Sequence, residues 1–494
     1  MSDARVRRLA ATLYGYAFLS ELVLLYPLYA LLFSDTGLSV WQISSLFVIW
    51  SAASILLEVP SGAFADAVSR RLLLALAPVV TAAGFALWVL VPSYPAFAVG
   101  FVLWGAGGAL ASGALEALVF TELDRLGAAG RYARVIGRAK TAETLGVLAS
   151  ILLAGPAFAL GGYPAVGTAS VLACLLAAAV ATRLPEHRRP APTVPAAGPS
   201  TGADAVPAEA VPVNAGPSTG ADAVPPEAVP VNAGPSTGAG AVAADAVPAR
   251  VDAVPADVVA DAGADPTGRD GATDEEDLGW WASLRAGLAE VHADRAVRAA
   301  VLLVAVVAAV WGALDEYTPL LARDTGVGEA TVPLLLLLTW LGVAVGGLLA
   351  PAGERLTGRG YAGLLALSAV ALAAGALLAR PLGFVLVAAA FCGFQLATVL
   401  ADARLQARIS GGSRATVTSL AGMTTDVTII AVYGGYGLLA TGAGNGVAFA
   451  VAAVPYLIVA LLLVTRAGRP ARPRPGRARG ARPGGGPQHP GRAG

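Results

Sequence analysis

Twelve almost wholly apolar stretches constrain this chain more than any other feature. An α-helix needs about 20 such residues to cross the hydrocarbon core of a bilayer. Six stretches precede residue 183, at 9–33, 40–64, 72–91, 96–120, 144–160 and 165–182. Six follow residue 295, at 296–319, 332–352, 361–379, 384–400, 415–439 and 447–465. Lipid offers the backbone no hydrogen bonds, so each stretch is expected to satisfy its own as a helix. Charged residues make up only 13% of the chain, about half the roughly 25% of a soluble domain. The expectation is an all-α membrane protein of twelve transmembrane helices, arranged as two pseudo-symmetric six-helix bundles.

The arginines orient these spans, because short cytoplasmic loops carry the positive charge. Alternate connections hold Arg70 and Arg71; Arg125, Arg131, Arg134, Arg138 and Lys140; Arg355 and Arg359; and Arg404, Arg408 and Arg414. The intervening connections hold only Arg323 and Arg380. Both termini are therefore expected on the cytoplasmic side of a bacterial inner membrane. Lys140 is the sole lysine; every other base is arginine, as expected from a GC-rich genome. It falls in a connection on this reading, and no base lies in the middle of a span.

Four regions follow: a first bundle at 1–182, a linker at 183–279, an interfacial helix with the second bundle at 280–465, and a basic tail at 466–494. In the linker an 18-residue unit starts at Ala197, recurs at Ala215 and begins again at Ala233. Ala, Gly, Pro and Val with scattered acids bury too little surface to offset the entropy of ordering, so linker and tail are expected to be disordered. Trp280 and Trp281, followed by Leu284, Leu288 and Val291, have the spacing of an amphipathic interfacial helix, with His292 on it. The tail arginines suit contact with anionic lipid. Cys174 and Cys392 sit in apolar runs and match no metal or redox spacing. His187, His292 and His489 lie outside the spans, which leaves no nucleophile–base pair for an embedded enzyme. No phosphate-binding loop is present, so ATP is not the expected energy source.

The halves echo one another. Asp35-Thr36-Gly37-Leu38 follows the first span and Asp324-Thr325-Gly326-Val327 the seventh, an offset of 289 residues. Pro27 and Pro319 precede them. The same offset brings Asp66 near Glu354. Parallel repeats of six helices form one transporter architecture, with the substrate site near the midplane between them.

The connection after the second span reads Glu58-Val-Pro-Ser-Gly62-Ala-Phe-Ala-Asp66-Ala-Val-Ser-Arg70-Arg71. Glycine permits close helix approach, and an acid followed by two arginines can pair across helix ends to hold one conformation shut. This loop resembles the signature of the major facilitator superfamily, G-x-x-x-D-R-x-G-R-R/K. Gly62, Asp66, Arg70 and Arg71 match it, whereas Ala67 and Ser69 depart from it. Glu354-Arg355-Leu-Thr-Gly358-Arg359 resembles the degraded second copy. The stretches at 112–121 and 414–419 resemble a bacterial branch with an EVPTG-type loop. The resemblance implies alternating access, with the first, fourth, seventh and tenth helices lining a central cavity. Gly146, Gly155, Pro156, Gly161 and Gly162 partly match the fifth-helix pattern of drug–proton antiporters, with different spacing, and equally suit ordinary close packing.

Acids inside a bilayer are costly and mark function by default. Glu21, in the middle of the first span, either exchanges a proton or cation or bonds a neighbouring helix. Asp315 and Glu316 gate the outer mouth or mark the interface. Asp426 and Gln395, with Trp104, complete the candidate cavity set. Glu58, Glu116, Glu354, Arg359 and Asp402 join Gly62, Asp66, Arg70 and Arg71 as candidate cytoplasmic gate residues. An acidic interior favours a neutral or cationic organic substrate. The expected function is secondary transport of a small organic solute by a monomer, as proton-coupled efflux, without cofactor, metal or nucleic acid. Nutrient uptake by symport and a non-transporting sensor or scaffold are the alternatives.

Overall fold

A computed structural model describes residues 2–187, 294–409 and 414–467, without the side chains at 2, 58–67, 113, 414–416 and 466–467. The repeat linker, the helix read at 280–291, His292 and the basic tail lie outside these residues. All regular structure in the described residues is helical. The first half contains α1 (Ser2–Glu21), α2 (Tyr29–Asp35), α3 (Val40–Ala67), α4 (Arg70–Leu90), α5 (Tyr94–Arg125) and α6 (Tyr132–Ala181). The second contains α7 (Arg295–Asp315), α8 (Thr318–Asp324), α9 (Val332–Leu348), α10 (Ala350–Gly353), α11 (Gly358–Leu377), α12 (Gly383–Gln406), α13 (Arg414–Ala443), α14 (Asn445–Ala452) and α15 (Val454–Ala467). Nine helices in the described residues are long and apolar enough to cross a membrane, with Val332–Leu348 a shorter apolar one.

The first and seventh spans, expected as continuous helices, are each broken. Pro27 has no N–H to give, and its ring clashes with the carbonyl one turn back. The chain accordingly leaves α1 at Glu21 and resumes at Tyr29. The second break separates α7, ending at Asp315, from α8, starting at Thr318. In each half a hydroxyl from the last span satisfies backbone near the break. The Leu25 N–H donates to Ser170 Oγ at 3.0 Å. The Trp311 N–H donates at 2.9 Å to the Tyr456 hydroxyl, which itself donates to the Val307 carbonyl at 3.1 Å. Tyr456 thus stands inside the α7 ladder where Val307 and Trp311 would pair, an identifiable cause of bending.

The 289-residue echo is a repeated structure. Thr36 and Thr325 each donate their hydroxyl three residues back, to Phe33 and Ala322, at 2.7 Å. Gly37 and Gly326 follow at φ of 88° and 85°, a left-handed turn that glycine adopts without a Cβ penalty. A second left-handed glycine in each half completes the corner. After Gly162 (φ 60°), Tyr163 donates to Asp35 at 2.5 Å; after Gly444 (φ 84°), Asn445 donates to Asp324 at 2.8 Å. Gly161 and Gly162 are also where α6 loses helical geometry.

The two halves meet at this Asp35 end. Phe47 packs on Tyr317 and on Tyr433, both at 5.3 Å between ring centres, and Ser44 shares a 2.7 Å hydrogen bond with Tyr317. Tyr29, Phe33, Trp88, Phe97 and Phe101 fill the first half behind them, all buried. At the opposite, arginine-rich end, the first half closes a separate core around Leu9, Leu13, Leu74, Leu118 and Leu123, to which no described residue of the second half belongs.

Candidate functional site: a cavity with an acidic wall and an aromatic floor

A cavity of about 190 Å³ opens in the first half, walled by α1, α3, α4, α5 and α6. Glu21 lies on it where α1 ends, together with the hydroxyl-bearing Ser20. Trp50 and Trp104 line it as a stacked pair, 4.6 Å between centres and 21° between planes. Tyr26 joins the two features: its ring stacks on Trp104 at 5.3 Å, and it lies within electrostatic reach of the Glu21 carboxyl. Ser54, Thr81 and Ser112 add hydroxyls to the wall.

Lys140 and Glu143 supply the remaining charge, and both line the cavity. Their side chains pair at 3.1 Å, one turn apart on α6. This corrects the placement of Lys140 in a connection. Charged residues end an apolar run, but α6 begins at Tyr132 and carries the pair inward. Sequence reasoning missed both residues. The available signal was the solitary lysine in a chain of arginines, with an acid three residues on.

α6 approaches α1 closely because Gly146 has no side chain. A Cβ there would meet the backbone of Phe18 and lie 3.1 Å from Glu21 Cβ. Gly146→Val is expected to destabilise the protein by about 1–3 kcal/mol through overpacking and to displace Glu21. A thermal-unfolding measurement on the purified variant checks this. At Gly155 a Cβ would run into the Ala330 carbonyl of the second half and lie 4.0 Å from Pro333 Cγ, so both glycines serve close packing here.

At the Asp35 end Arg323 reaches across the halves to the Asp35 carboxylate at 2.5 Å and to the Ser34 hydroxyl. Asp35 therefore holds Arg323 of the other half and Tyr163 of its own.

At the arginine-rich end the chain leaving α6 folds back onto the loop before α4. Ser69 caps α4, accepting from the Leu72 N–H at 3.1 Å. Glu186 accepts from the Ser69 hydroxyl and from the backbone N–H groups of Arg70 (2.8 Å) and Arg71 (3.3 Å). An anion at a helix N-terminus is stabilised by the unpaired N–H groups there. His187 meets the buried Glu122 at 3.0 Å. The Arg70 guanidinium donates to the Ala117 carbonyl (3.1 Å) and the Thr121 hydroxyl (3.0 Å) at the end of α5.

The expected residues are distributed as follows. Glu21, Glu116 and Trp104 line the cavity. Glu116 also has interactions of its own. Glu316 is buried and Asp315 half-buried at the α7–α8 break. With Asp426 they lie within electrostatic reach of Tyr433. Tyr26 lies within electrostatic reach of both Glu21 and Glu316. Gln395 is buried in α12, away from the cavity lining. Glu354 and Arg359 are exposed around the α10–α11 connection, and Asp402 is half-buried near the end of α12. Glu58, Gly62 and Asp66 fall within α3, and their side chains lie outside the described residues. Arg404, unremarked in the sequence as a binding group, stacks over Tyr361 at 4.3 Å and reaches the Leu356 carbonyl at 3.3 Å.

The sequence matches the family model of the Major Facilitator Superfamily over residues 10–432. No curated protein matches it at a significant level. Among solved structures, the nucleoside transporter NupG is similar, at a TM-score of 0.63 and 11% identity, covering 94% of this chain and 100% of that one. A bacterial homologue of the human lysosomal transporter Spinster, solved inward-facing and unoccupied, is similar at 0.61 and 14%, covering 94% and 97%. A D-xylose–proton symporter is similar at 0.54 and 13%, covering 93% and 97%. At these identities the likeness carries the fold alone.

Proposed function

From a chain that belongs to the Major Facilitator Superfamily, a multi-pass secondary transporter and not an enzyme, we propose proton-coupled export of a small organic cation through the Glu21 cavity. The observation that carries this reading is the pairing of Glu21 with an aromatic floor inside one cavity. A carboxylate shielded from water needs a proton or a cation beside it, and stacked indoles attract organic cations over their faces. Proton and cargo then compete for one group, which is the requirement for exchange.

The proposal includes twelve crossings. The nine long helices become twelve when α6 is divided at Gly161–Gly162 and α9 and the broken α1–α2 span are added. The arginine asymmetry supports termini on the cytoplasmic side of a bacterial inner membrane. The contacts at the Asp35 end and the separate core at the opposite end then support an inward-facing arrangement, loading from the cytoplasm. Glu58, Gly62, Asp66, Arg70, Arg71, Glu116, Glu354, Arg359 and Asp402 are proposed to close the cytoplasmic side. Asp315, Glu316 and Asp426 are proposed to offer the cargo a second acidic surface.

In vesicles containing the purified protein and a pH-sensitive dye, addition of a transported organic cation is expected to move protons in the opposite direction. Proton movement in the same direction as the cargo would establish uptake by symport instead. Transport of neutral sugars or nucleosides with no response to any organic cation would overturn the cation reading.

A further inference from the structure

Gly105, Gly107 and Gly108 of α5 all line the cavity. The first two are packing glycines. A Cβ at Gly105 would lie 3.2 Å from the Ser54 backbone nitrogen. One at Gly107 would run into the Thr81 hydroxyl and lie 2.8 Å from the Ala77 carbonyl. Gly108 differs from both: it is exposed where they are buried, and a Cβ there would meet nothing within 4 Å. Its direction follows from helical spacing, since residues one turn apart share a face. Trp104, Ala111, Ser112 and Leu115, one or two turns away on that face, all line the cavity. Ala106 and Leu110, on the other side of α5, do not. The side-chain position of Gly108 therefore points into the cavity. Backbone geometry does not call for glycine here, because Gly108 is helical and lacks the positive φ of the turn glycines. Glycine inside a helix costs stability relative to alanine, and at Gly108 no close approach offsets that cost.

We propose that Gly108 is the specificity-determining residue of the cavity, a slot in the wall that admits an apolar group of the cargo one turn from Trp104. This rests on the cation reading of the Glu21 cavity and adds to it a substrate class: an organic cation bearing bulky apolar groups, in preference to a compact ammonium. Glu21 meets the charge, and the slot takes a group attached to it. Apolar surface lodged there is removed from water, so affinity increases with the size of the group until the slot is full. A side chain at position 108 fills the slot from the protein side and overpacks the wall against bulky cargo. A compact cation has no group to place there and is affected less.

Tetramethylammonium and tetrabutylammonium test this, because they share charge and chemistry and differ in size. Their binding to the purified full-length protein in detergent is measured by equilibrium dialysis. The unaltered protein is expected to bind the butyl compound more tightly. Gly108→Leu is expected to shift the ratio of the two dissociation constants at least about tenfold towards tetramethylammonium. Gly108→Ala is expected to shift it the same way by less. Neither variant is expected to melt below the unaltered protein, since each new side chain enters open space on a helix. Gly107→Leu, whose side chain meets Thr81 and Ala77, is expected to melt lower. A preference of the unaltered protein for tetramethylammonium, a ratio unchanged in Gly108→Leu, or a lowered melting temperature of Gly108→Ala overturns the proposal. Each of these leaves the cation reading intact if Glu21→Gln still loses both cations. Failure of the unaltered protein to bind either cation, with Glu21→Gln indistinguishable from it, overturns both.

Discussion

Glu21→Gln is expected to abolish proton-driven transport while the protein still folds. Gln fills almost the same volume at the end of α1, so the approach of Gly146 to the Cβ at position 21 survives. What disappears is the ability to take up and release a proton, or to neutralise a cation lying on the Trp50–Trp104 floor. Neither Ser20 nor Thr81, also on the lining, replaces it, because hydroxyls do not exchange charge near neutral pH. Cargo-dependent proton flux in vesicles should fall to the level of empty liposomes, with an unchanged elution profile and melting temperature. Coupled flux at the unaltered rate would remove Glu21 as the coupling site and return it to a structural role.

Arg323→Ala is expected to have the next largest effect, on conformation more than on stability. The Arg323 and Asp35 side chains are 28% and 36% exposed, and such a pair contributes only about 0–1 kcal/mol to folding. Opening the Asp35 end, however, would break the Arg323 bonds to Asp35 and Ser34 together. Loss of about 1–2 kcal/mol from one state alone changes a two-state population roughly five- to thirty-fold. The measurement is the rate at which an impermeant maleimide labels Ser44→Cys. Ser44 is 1% exposed and bonded to Tyr317 at the seal. Labelling should accelerate several-fold when Arg323→Ala is added, with Cys174 and Cys392 replaced by Ser in both backgrounds. An unchanged rate would take the cluster out of the gate.

Much of this fold is legible without coordinates, for physical reasons that are local. Lipid forces each apolar run into a helix. Asp-Thr-Gly specifies its own turn, because the Thr hydroxyl bonds three residues back and the glycine turns left-handed, and so the echo recurs as the same corner in each half. The breaks near Pro27 and Pro319 have a signal too, although an apolarity ruler passes over them. Lys140 and Glu143 are less legible. Their polarity places them outside a span, whereas their place on the cavity wall depends on the direction in which α6 carries them.

Twelve apolar runs thus determined that the chain crosses a membrane as helices, and the repeated corners determined that it does so as two related halves. Both follow from interactions within a few residues of sequence. Which charges share a cavity was decided by tertiary structure alone. Gly146 lets α6 lie against α1 beside Glu21, Tyr26 stacks its ring on Trp104 beside Glu21 on the same lining, and Lys140 and Glu143 come round on the same wall. The physical reason is range: a helix forms from its own backbone hydrogen bonds, but the face it presents to another helix is settled by packing between residues more than a hundred positions apart.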